Sequence, residues 1–180
     1  MIINGTLINN GNLYSGFSAN DFFILNHSIP ESNNIEFISK VMLIDTHSTR
    51  NDVLGFSIAN SPVGFESTRA LGMFNTSKWV LGSVIYPLNE FVWVKFTWDG
   101  STYTVYGMSD DNYDIYNLPN NWNLEATWST TTKLWSSPTI RIGNTVKTTT
   151  EYFGGYIDIE NTILNVNSHI YWSGLQGLYI

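Results

Sequence analysis

The sequence predicts a single all-β domain, a sandwich or barrel of antiparallel strands, and three observations support this. Short runs of β-branched and aromatic residues recur about every ten residues, with Asn, Gly, Asp and Ser between them. No window shows the i, i+3, i+4, i+7 apolar spacing of an amphipathic helix. An Asp-Gly pair also separates two long β-type runs, which is a strong hairpin signal.

The predicted strands follow these runs in chain order. They are residues 21–26, 35–45, 53–59, 69–74, 78–85, 91–98, 102–108, 125–130, 139–142, 152–159, 162–166 and 169–172. Residues 109–122, rich in Asp, Asn and Tyr, are predicted to form a long surface loop. Because no linker, repeat or shift in composition divides the chain, we expect one domain over residues 1–180, whether or not it belongs to a longer protein.

Composition narrows the class of protein. Hydrophobic residues make up 43% of the chain and charged residues 13%, which argues against disorder. The 7 Trp, 10 Tyr and 10 Phe are more rings than we expect one core to hold, so some should lie outside it. The absence of cysteine excludes disulfides, thiolate metal sites and a cysteine nucleophile, and it favours synthesis in a reducing cytoplasm.

Charge argues against two kinds of partner. The formal net charge is −7, and the few Lys and Arg residues are scattered, so we expect no binding to nucleic acid. The start of the chain lacks a signal-peptide pattern, and no apolar run reaches the roughly 18 residues of a membrane span. We therefore expect no membrane insertion.

The hairpin around Asp99-Gly100 gives the sharpest prediction. With a two-residue turn, Trp98 would lie opposite Ser101, and Trp93 opposite Tyr106. A four-residue loop would shift the partners by an even step and keep the same faces. In either case one face is predicted to belong to the core and carries Val92, Val94, Phe96, Trp98, Tyr103 and Val105.

The opposite hairpin face mixes aromatic and polar residues. It carries Phe91, Trp93, Lys95, Thr97, Thr102, Thr104, Tyr106 and Met108. Since pyranose C–H groups stack on aromatic rings while polar groups take the hydroxyls, Trp93 and Tyr106 with Lys95 and Thr104 are candidates for carbohydrate binding. The alternative is that the two rings pack beneath a loop or a third layer.

Two further sets of residues are weaker candidates for sugar binding. The turn over residues 44–51 gathers His47, Arg50 and Asn51, whose polar groups suit hydroxyl recognition, although it can equally be a simple strand connection. Trp79 is a further ring candidate for sugar binding.

A calcium site is a separate possibility. Asp110, Asp111 and Asp114 offer hard oxygen ligands in one loop, but they lack the spacing of an EF-hand loop. A solvated acidic loop is the favoured interpretation. The histidines share no zinc-ligand spacing, so no cofactor is expected, with calcium left open.

Several stretches resemble the concanavalin A-like lectin/glucanase superfamily in its laminin-G-like and phage tail forms. They are Tyr14-Ser-Gly-Phe-Ser-Ala19, Ile35-Glu-Phe-Ile-Ser-Lys-Val41, Trp93-Val-Lys-Phe-Thr-Trp-Asp-Gly100, Tyr103-Thr-Val-Tyr106, Ile140-Arg-Ile-Gly143, Phe153-Gly-Gly-Tyr-Ile-Asp-Ile159, Thr162-Ile-Leu-Asn-Val-Asn167 and Tyr171-Trp172. The resemblance implies a jelly roll of two curved antiparallel sheets. It also implies ligands on the concave sheet or at rim loops, and phage relatives that recognise host surface saccharides.

From these observations we expect a carbohydrate-binding module without catalytic activity. The Glu-x-Asp-x-x-Glu motif of glucanases is absent. With the resemblance, the expected setting is a virion, as part of a phage tail or baseplate protein that binds a host polysaccharide. One alternative is an assembly module that contacts other virion proteins or its own copies through the same face. A divergent glycosidase using Asp158 or Glu160 is a third hypothesis.

Overall fold

The computed structural model describes residues 2–25, 34–45, 50–56, 63–75, 77–109, 112–131, 140–144 and 151–173. Across these ranges every regular element is a β-strand, which confirms the predicted all-β class. No helix with the length and apolar character of a membrane span occurs in the described part of the chain.

The strands run as follows along the chain. They are β1 (Ile2–Asn4), β2 (Ile8–Asn10), β3 (Leu13–Ser15), β4 (Phe22–Leu25), β5 (Ile35–Leu43), β6 (Arg50–Phe56), β7 (Val63–Glu66), β8 (Ala70–Phe74), β9 (Trp79–Ile85), β10 (Phe91–Trp98), β11 (Thr102–Ser109), β12 (Asn123–Ser129), β13 (Ile140–Ile142), β14 (Gly155–Val166) and β15 (His169–Ser173).

Two antiparallel sheets contain these strands and form a jelly-roll sandwich. Sheet 1 has the order β1-β4-β13-β6-β7-β8-β9. Sheet 2 has the order β12-β11-β10-β5-β14-β3-β2, and β15 also pairs with β14. The core lies between the sheets, as expected when each sheet buries one apolar face.

The prediction of the core face of the hairpin is confirmed. All six of its residues are buried, and Tyr103 stacks between Trp98 and Trp128 with centroid distances of 4.1 and 5.4 Å. This stack ties β10, β11 and β12 together on the core side of sheet 2.

The predicted two-residue turn is wrong, and the four-residue alternative is the observed one. Trp98 pairs with Tyr103, so the loop contains residues 99–102. Asp99 Oδ1 accepts the N–H groups of Ser101 and Thr102, at 2.9 and 2.8 Å, and thereby holds the wider loop. Because the shift is even, each side chain stays on its predicted face.

Other differences concern the short or interrupted strands. The sequence did not predict β1, β2, β3 or β7, which have three or four residues each and give too little alternation to detect. The segments 152–159 and 162–166 were predicted as separate strands, but β14 is continuous with a register break between Asp158 and Thr162.

Candidate functional site

The outer face of sheet 2, which points away from the core, carries three cross-strand rows of residues. The first row is polar and contains Asn165, Glu36, Thr97, Thr104 and Thr127. The second row contains Ile163, Ile38, Lys95, Tyr106 and Leu124. The third row contains Asp158, Lys40, Trp93 and Met108. Antiparallel pairing places such residues side by side, so each row is a continuous strip of surface.

Residues 112–122 cover the third row and are called the covering segment below. The Lys40 ammonium donates a hydrogen bond to the Tyr113 carbonyl at 3.1 Å, and the Ile115 N–H donates to Asn161 Oδ1 at 2.8 Å. Lys40 also lies 5.6 Å above the ring centroid of Trp93. The segment therefore crosses the sheet from β11 as far as β14.

This arrangement corrects two expectations about Trp93. Its side chain is 0% exposed, so it is not an open platform, and the alternative of packing under a loop is the one observed. Trp93 is also paired with Met108, while Tyr106 lies opposite Lys95. A ligand on the outer face cannot reach the Trp93 ring.

A bulge in β14 places the anchor for the covering segment. Asp158 pairs with Lys40 and Thr162 with Ser39, so the residues between them protrude from the ladder. Asn161 donates from its amide side chain to Asp158 Oδ2 at 2.8 Å, which aims its Oδ1 at the covering segment. Glu160 Oε2 accepts a 2.5 Å hydrogen bond from Asn12. Both carboxylates therefore have contacts that support the bulge.

Beside the covering segment, the polar row keeps exposed surface, and so do Lys95, Tyr106 and Leu124 in the second row, whereas Ile38 is buried. The Lys95 ammonium lies 4.7 Å from the ring centroid of Tyr106 and 4.3 Å from that of Trp122. Partial burial lowers the pKa of Lys95, and the nearby carboxylate of Glu36 opposes this effect. The open half is defined here as Glu36, Lys95, Thr97, Thr104, Tyr106, Trp122, Thr127 and Asn165.

The polar row gives the open half its hydrogen-bonding groups. Asn165 Nδ2 donates to Glu36 Oε1 at 2.9 Å, which fixes both side chains. Thr97 pairs with Thr104, and Thr104 with Thr127, so hydroxyls continue the row to the sheet edge. Flat rings beside fixed amide, carboxylate and hydroxyl groups can take up a ligand with apolar C–H faces and many hydroxyls.

Sequence reasoning identified Lys95, Thr104 and Tyr106 as candidates and placed Thr97 on the same face, but it missed the other four members of the open half. Trp122 belongs to the predicted surface loop of residues 109–122, and no pattern in the residues next to it links it to Lys95. Glu36 gives a usable signal, because it is a charged residue between the buried apolar residues Ile35 and Phe37. Asn165 had a similar position in β14.

Arg50, Asn51 and Trp79 lie on sheet 1, apart from the open half. The Arg50 guanidinium is 5.2 Å from the ring centroid of Trp79 and forms an ion pair with Glu151 at 2.7 Å. Asn51 is 0% exposed, and its Oδ1 accepts the Gly154 N–H at 3.0 Å. The expectation that Asn51 offers its amide to a surface ligand is therefore wrong. His47 lies outside the described residues.

Of the proposed calcium ligands, only Asp114 lies in the described ranges, and Asp110 and Asp111 fall outside them. Asp114 Oδ1 accepts the backbone N–H groups of Tyr116 and Asn117, each at 2.9 Å. The carboxylate thus stabilises a local turn. Among the residues that the structure describes, no group of three or more acidic or histidine side chains is placed to hold a metal ion.

Comparison with known proteins identifies the fold. No protein-family model matches the chain, and no curated protein matches it either. A heptameric SAP-like pentraxin from Limulus polyphemus superimposes with a TM-score of 0.51 at 14% identity, over 86% of this chain and 72% of the pentraxin. The fold is thus a concanavalin A-like jelly roll.

A sialidase from Trypanosoma rangeli gives a second match. In complex with the inhibitor DANA it superimposes with a TM-score of 0.61 at 10% identity, over 92% of this chain. This chain spans only 27% of the sialidase. At these identities the likeness concerns the fold alone.

Proposed function

We propose that this domain binds carbohydrate on the open half of sheet 2. The observation that carries the proposal is that the ring centroids of Tyr106 and Trp122 lie 4.7 and 4.3 Å from the Lys95 ammonium, beside the polar row that begins at Asn165 and Glu36. The rings supply faces for sugar C–H groups, and the row supplies donors and acceptors for hydroxyls. In support, the Trypanosoma rangeli sialidase, which matches this fold over 27% of its own length, has been solved with sialic acid.

The open half is shallow, which sets the expected strength of binding. Affinity for one sugar should be on the order of millimolar to high micromolar, because a shallow site buries little ligand surface. Several linked copies would bind a polysaccharide far more tightly. The protein should therefore be assayed as a multivalent fusion.

The test is a glycan array and a polysaccharide pulldown with that fusion. We expect Trp122→Ala and Tyr106→Ala each to weaken binding by about fivefold or more, since one stacked ring contributes on the order of 1 kcal/mol. Tyr116→Ala is the matched control, because Tyr116 is 84% exposed and lies outside the open half. Absence of binding by the unaltered fusion, with its fold verified by circular dichroism, would overturn the proposal.

We also propose a phage virion as the setting, in a tail or baseplate protein that recognises a surface saccharide of the host. The support is the sequence resemblance of the segments around Trp93–Gly100 and Phe153–Ile159 to phage tail domains. Mass spectrometry of purified virions should detect the protein. Polysaccharide from the host should inhibit adsorption of the virion, and adsorption that is indifferent to that polysaccharide would contradict this setting.

A second candidate function is assembly through the same face. Leu124 is 61% exposed and Ile170 is 43% exposed, and they flank the open half on opposite sides. Apolar side chains at both margins suit a protein contact. Light scattering of the unaltered protein and of Leu124→Ser separates the functions, because an assembly module would lose its oligomer while a lectin would keep its glycan binding.

We propose that the domain binds without hydrolysing. The contacts of Asp158 and Glu160 with Asn161 and Asn12 favour a supporting role for these carboxylates. A screen with chromogenic glycosides and polysaccharides should give no turnover. Turnover that disappears in Asp158→Asn or Glu160→Gln would establish a glycosidase instead.

A further inference from the structure

A pocket of about 230 Å³ opens at one end of the sandwich, away from the open half. It lies where the turn after β3, the end of β5 and the start of β14 meet. Its lining is Ser15, Gly16, Phe17, Ile44, Asp45, Phe153, Gly154, Gly155 and Tyr156. None of the surfaces described above uses this pocket.

The backbone requires glycine at two positions of the lining. Gly16 has a φ of +78°, a conformation that other residues rarely adopt. At Gly155 a Cβ would lie 2.0 Å from the carbonyl oxygen of Met42, so the close approach of β5 and β14 requires glycine there. The rings of Phe17 and Phe153 line the pocket as well.

Buried hydrogen bonds fix the wall in place. The Gly154 carbonyl accepts the N–H groups of Ile44 and Asp45, each at 2.9 Å, and the Gly154 N–H donates to buried Asn51 at 3.0 Å. Phe17 and Phe153 pack edge to face with a centroid distance of 6.3 Å. The pocket is therefore formed before any ligand arrives, which favours binding.

Size and charge limit the ligand. Drug-sized ligands need pockets of about 300 Å³ or more, so this pocket suits a single ring of sugar size. Its one charged lining residue is Asp45, whose carboxylate accepts hydrogen bonds from hydroxyls and repels anions. The half-buried Tyr156 ring and the side chain of Ile44 offer apolar contact to the C–H face of that ring.

We propose that this pocket is a second carbohydrate site that takes one terminal, uncharged hexopyranose. It shares its ligand class with the proposed function but rests on different residues, so each site can fail alone. Affinity should be on the order of millimolar, as expected for about a dozen ligand atoms.

The experiment is a titration followed by backbone amide NMR. The probes are the methyl glycosides of glucose, galactose, mannose and N-acetylglucosamine, with methyl glucuronide as the anionic comparison. We expect at least one neutral glycoside to shift the amides of Ile44, Gly154 and Gly155 at saturable, millimolar concentrations. Methyl glucuronide should bind at least threefold more weakly, and Asp45→Asn should remove that difference.

Variants separate the two sites. Tyr156→Ala should abolish the shifts at Ile44 and Gly154, while Trp122→Ala should leave them intact. Tyr116→Ala is the matched tyrosine control. If Tyr156→Ala disturbs the whole spectrum, Ile44→Ala replaces it, because Ile44 is 38% exposed and lies at the rim.

Each pattern of outcomes decides the proposal. Shifts confined to the open half would overturn this second site and leave the proposed function standing. Shifts confined to the pocket would support the second site and overturn sugar binding on the open half. Equal binding of methyl glucuronide and the neutral glycosides would overturn the assignment to uncharged sugars, and no shift anywhere would overturn both proposals.

Discussion

The Tyr86 hydroxyl donates a 2.5 Å hydrogen bond to Glu125 Oε1 across one side of the sandwich. Tyr86 follows β9 at the edge of sheet 1, and Glu125 lies in β12 at the edge of sheet 2, so this bond joins the two sheets. Two glycines make room for it. A Cβ at Gly82 would lie 1.6 Å from Glu125 Oε2, and one at Gly107 would lie 2.1 Å from the Tyr86 hydroxyl.

Removing the hydroxyl of Tyr86 should destabilise the fold. Tyr86→Phe leaves the buried Glu125 carboxyl without its donor, so we expect the free energy of unfolding to fall by about 1–3 kcal/mol. Urea denaturation measures this. The matched control is Tyr14→Phe, whose hydroxyl has an exposed contact with Asn9 and should matter little. Equal stability of the two variants would mean that the Tyr86 bond contributes no net stability.

Asp52 predicts an unusual dependence of stability on pH. Its side chain is 0% exposed, and neither carboxyl oxygen has a hydrogen-bond partner among the described residues. Burial raises the pKa of Asp52 well above 3.8, Glu151 raises it further, and Arg50 opposes them. Because the folded state holds this proton more tightly, its stabilising contribution is full below pH 3.8 and is lost as pH rises through the folded pKa.

The variant Asp52→Asn should therefore gain stability over the unaltered protein as pH rises from about 4 toward 8. Urea denaturation across this range measures the difference. Asp21→Asn is the control and should show no such trend over this range, because hydrogen bonds from Ser18 and Thr6 lower the pKa of Asp21 and their contribution is lost only as pH falls below about 4. The raised pKa would be contradicted if the free energies of unfolding of Asp52→Asn and the unaltered protein differed by the same amount at every pH.

Asn161 should control the attachment of the covering segment. Asn161→Ala removes the acceptor for the Ile115 N–H, so hydrogen exchange at Ile115 and its neighbours should speed up at least tenfold. Asn165→Ala is the matched control on the same strand, because its amide bonds to Glu36 instead. Unchanged exchange in Asn161→Ala would show that other contacts hold the segment.

Calcium should have little effect on this domain. Asp114 Oδ1 already accepts two backbone N–H groups, and the described residues include no larger acidic cluster. We expect the melting temperature to be the same in EDTA and in millimolar calcium. A rise of several degrees with calcium would indicate a specific site, since a ligand that binds only the folded state raises its stability.

The sequence predicted the features that depend on strict alternation. Both faces of β10 and β11 follow from a period of two, which survives an even change of register. The register itself depends on how the Asp99 side chain bonds the loop, because Asp-Gly pairs occur in turns of more than one length. Local residue types therefore favour a hairpin without fixing its partners.

The burial of Trp93 could not be predicted from its own strand. It depends on the covering segment and on a bulge in β14 that aims Asn161 at Ile115, far along the chain. The same holds for the contact of Trp122 with Lys95. Alternation shows which face a residue occupies, but it contains no information on what lies over that face.

The covering segment is held through its main chain, since Lys40 binds the Tyr113 carbonyl and Asn161 binds the Ile115 N–H. Side chains of the segment are thus free to differ without loss of these anchors. Substitution of Trp122 can alter the surface that meets the ligand while the sandwich and these two anchors stay the same. The side chains of the covering segment beside the open half can therefore change to fit a new ligand surface while the fold stays the same.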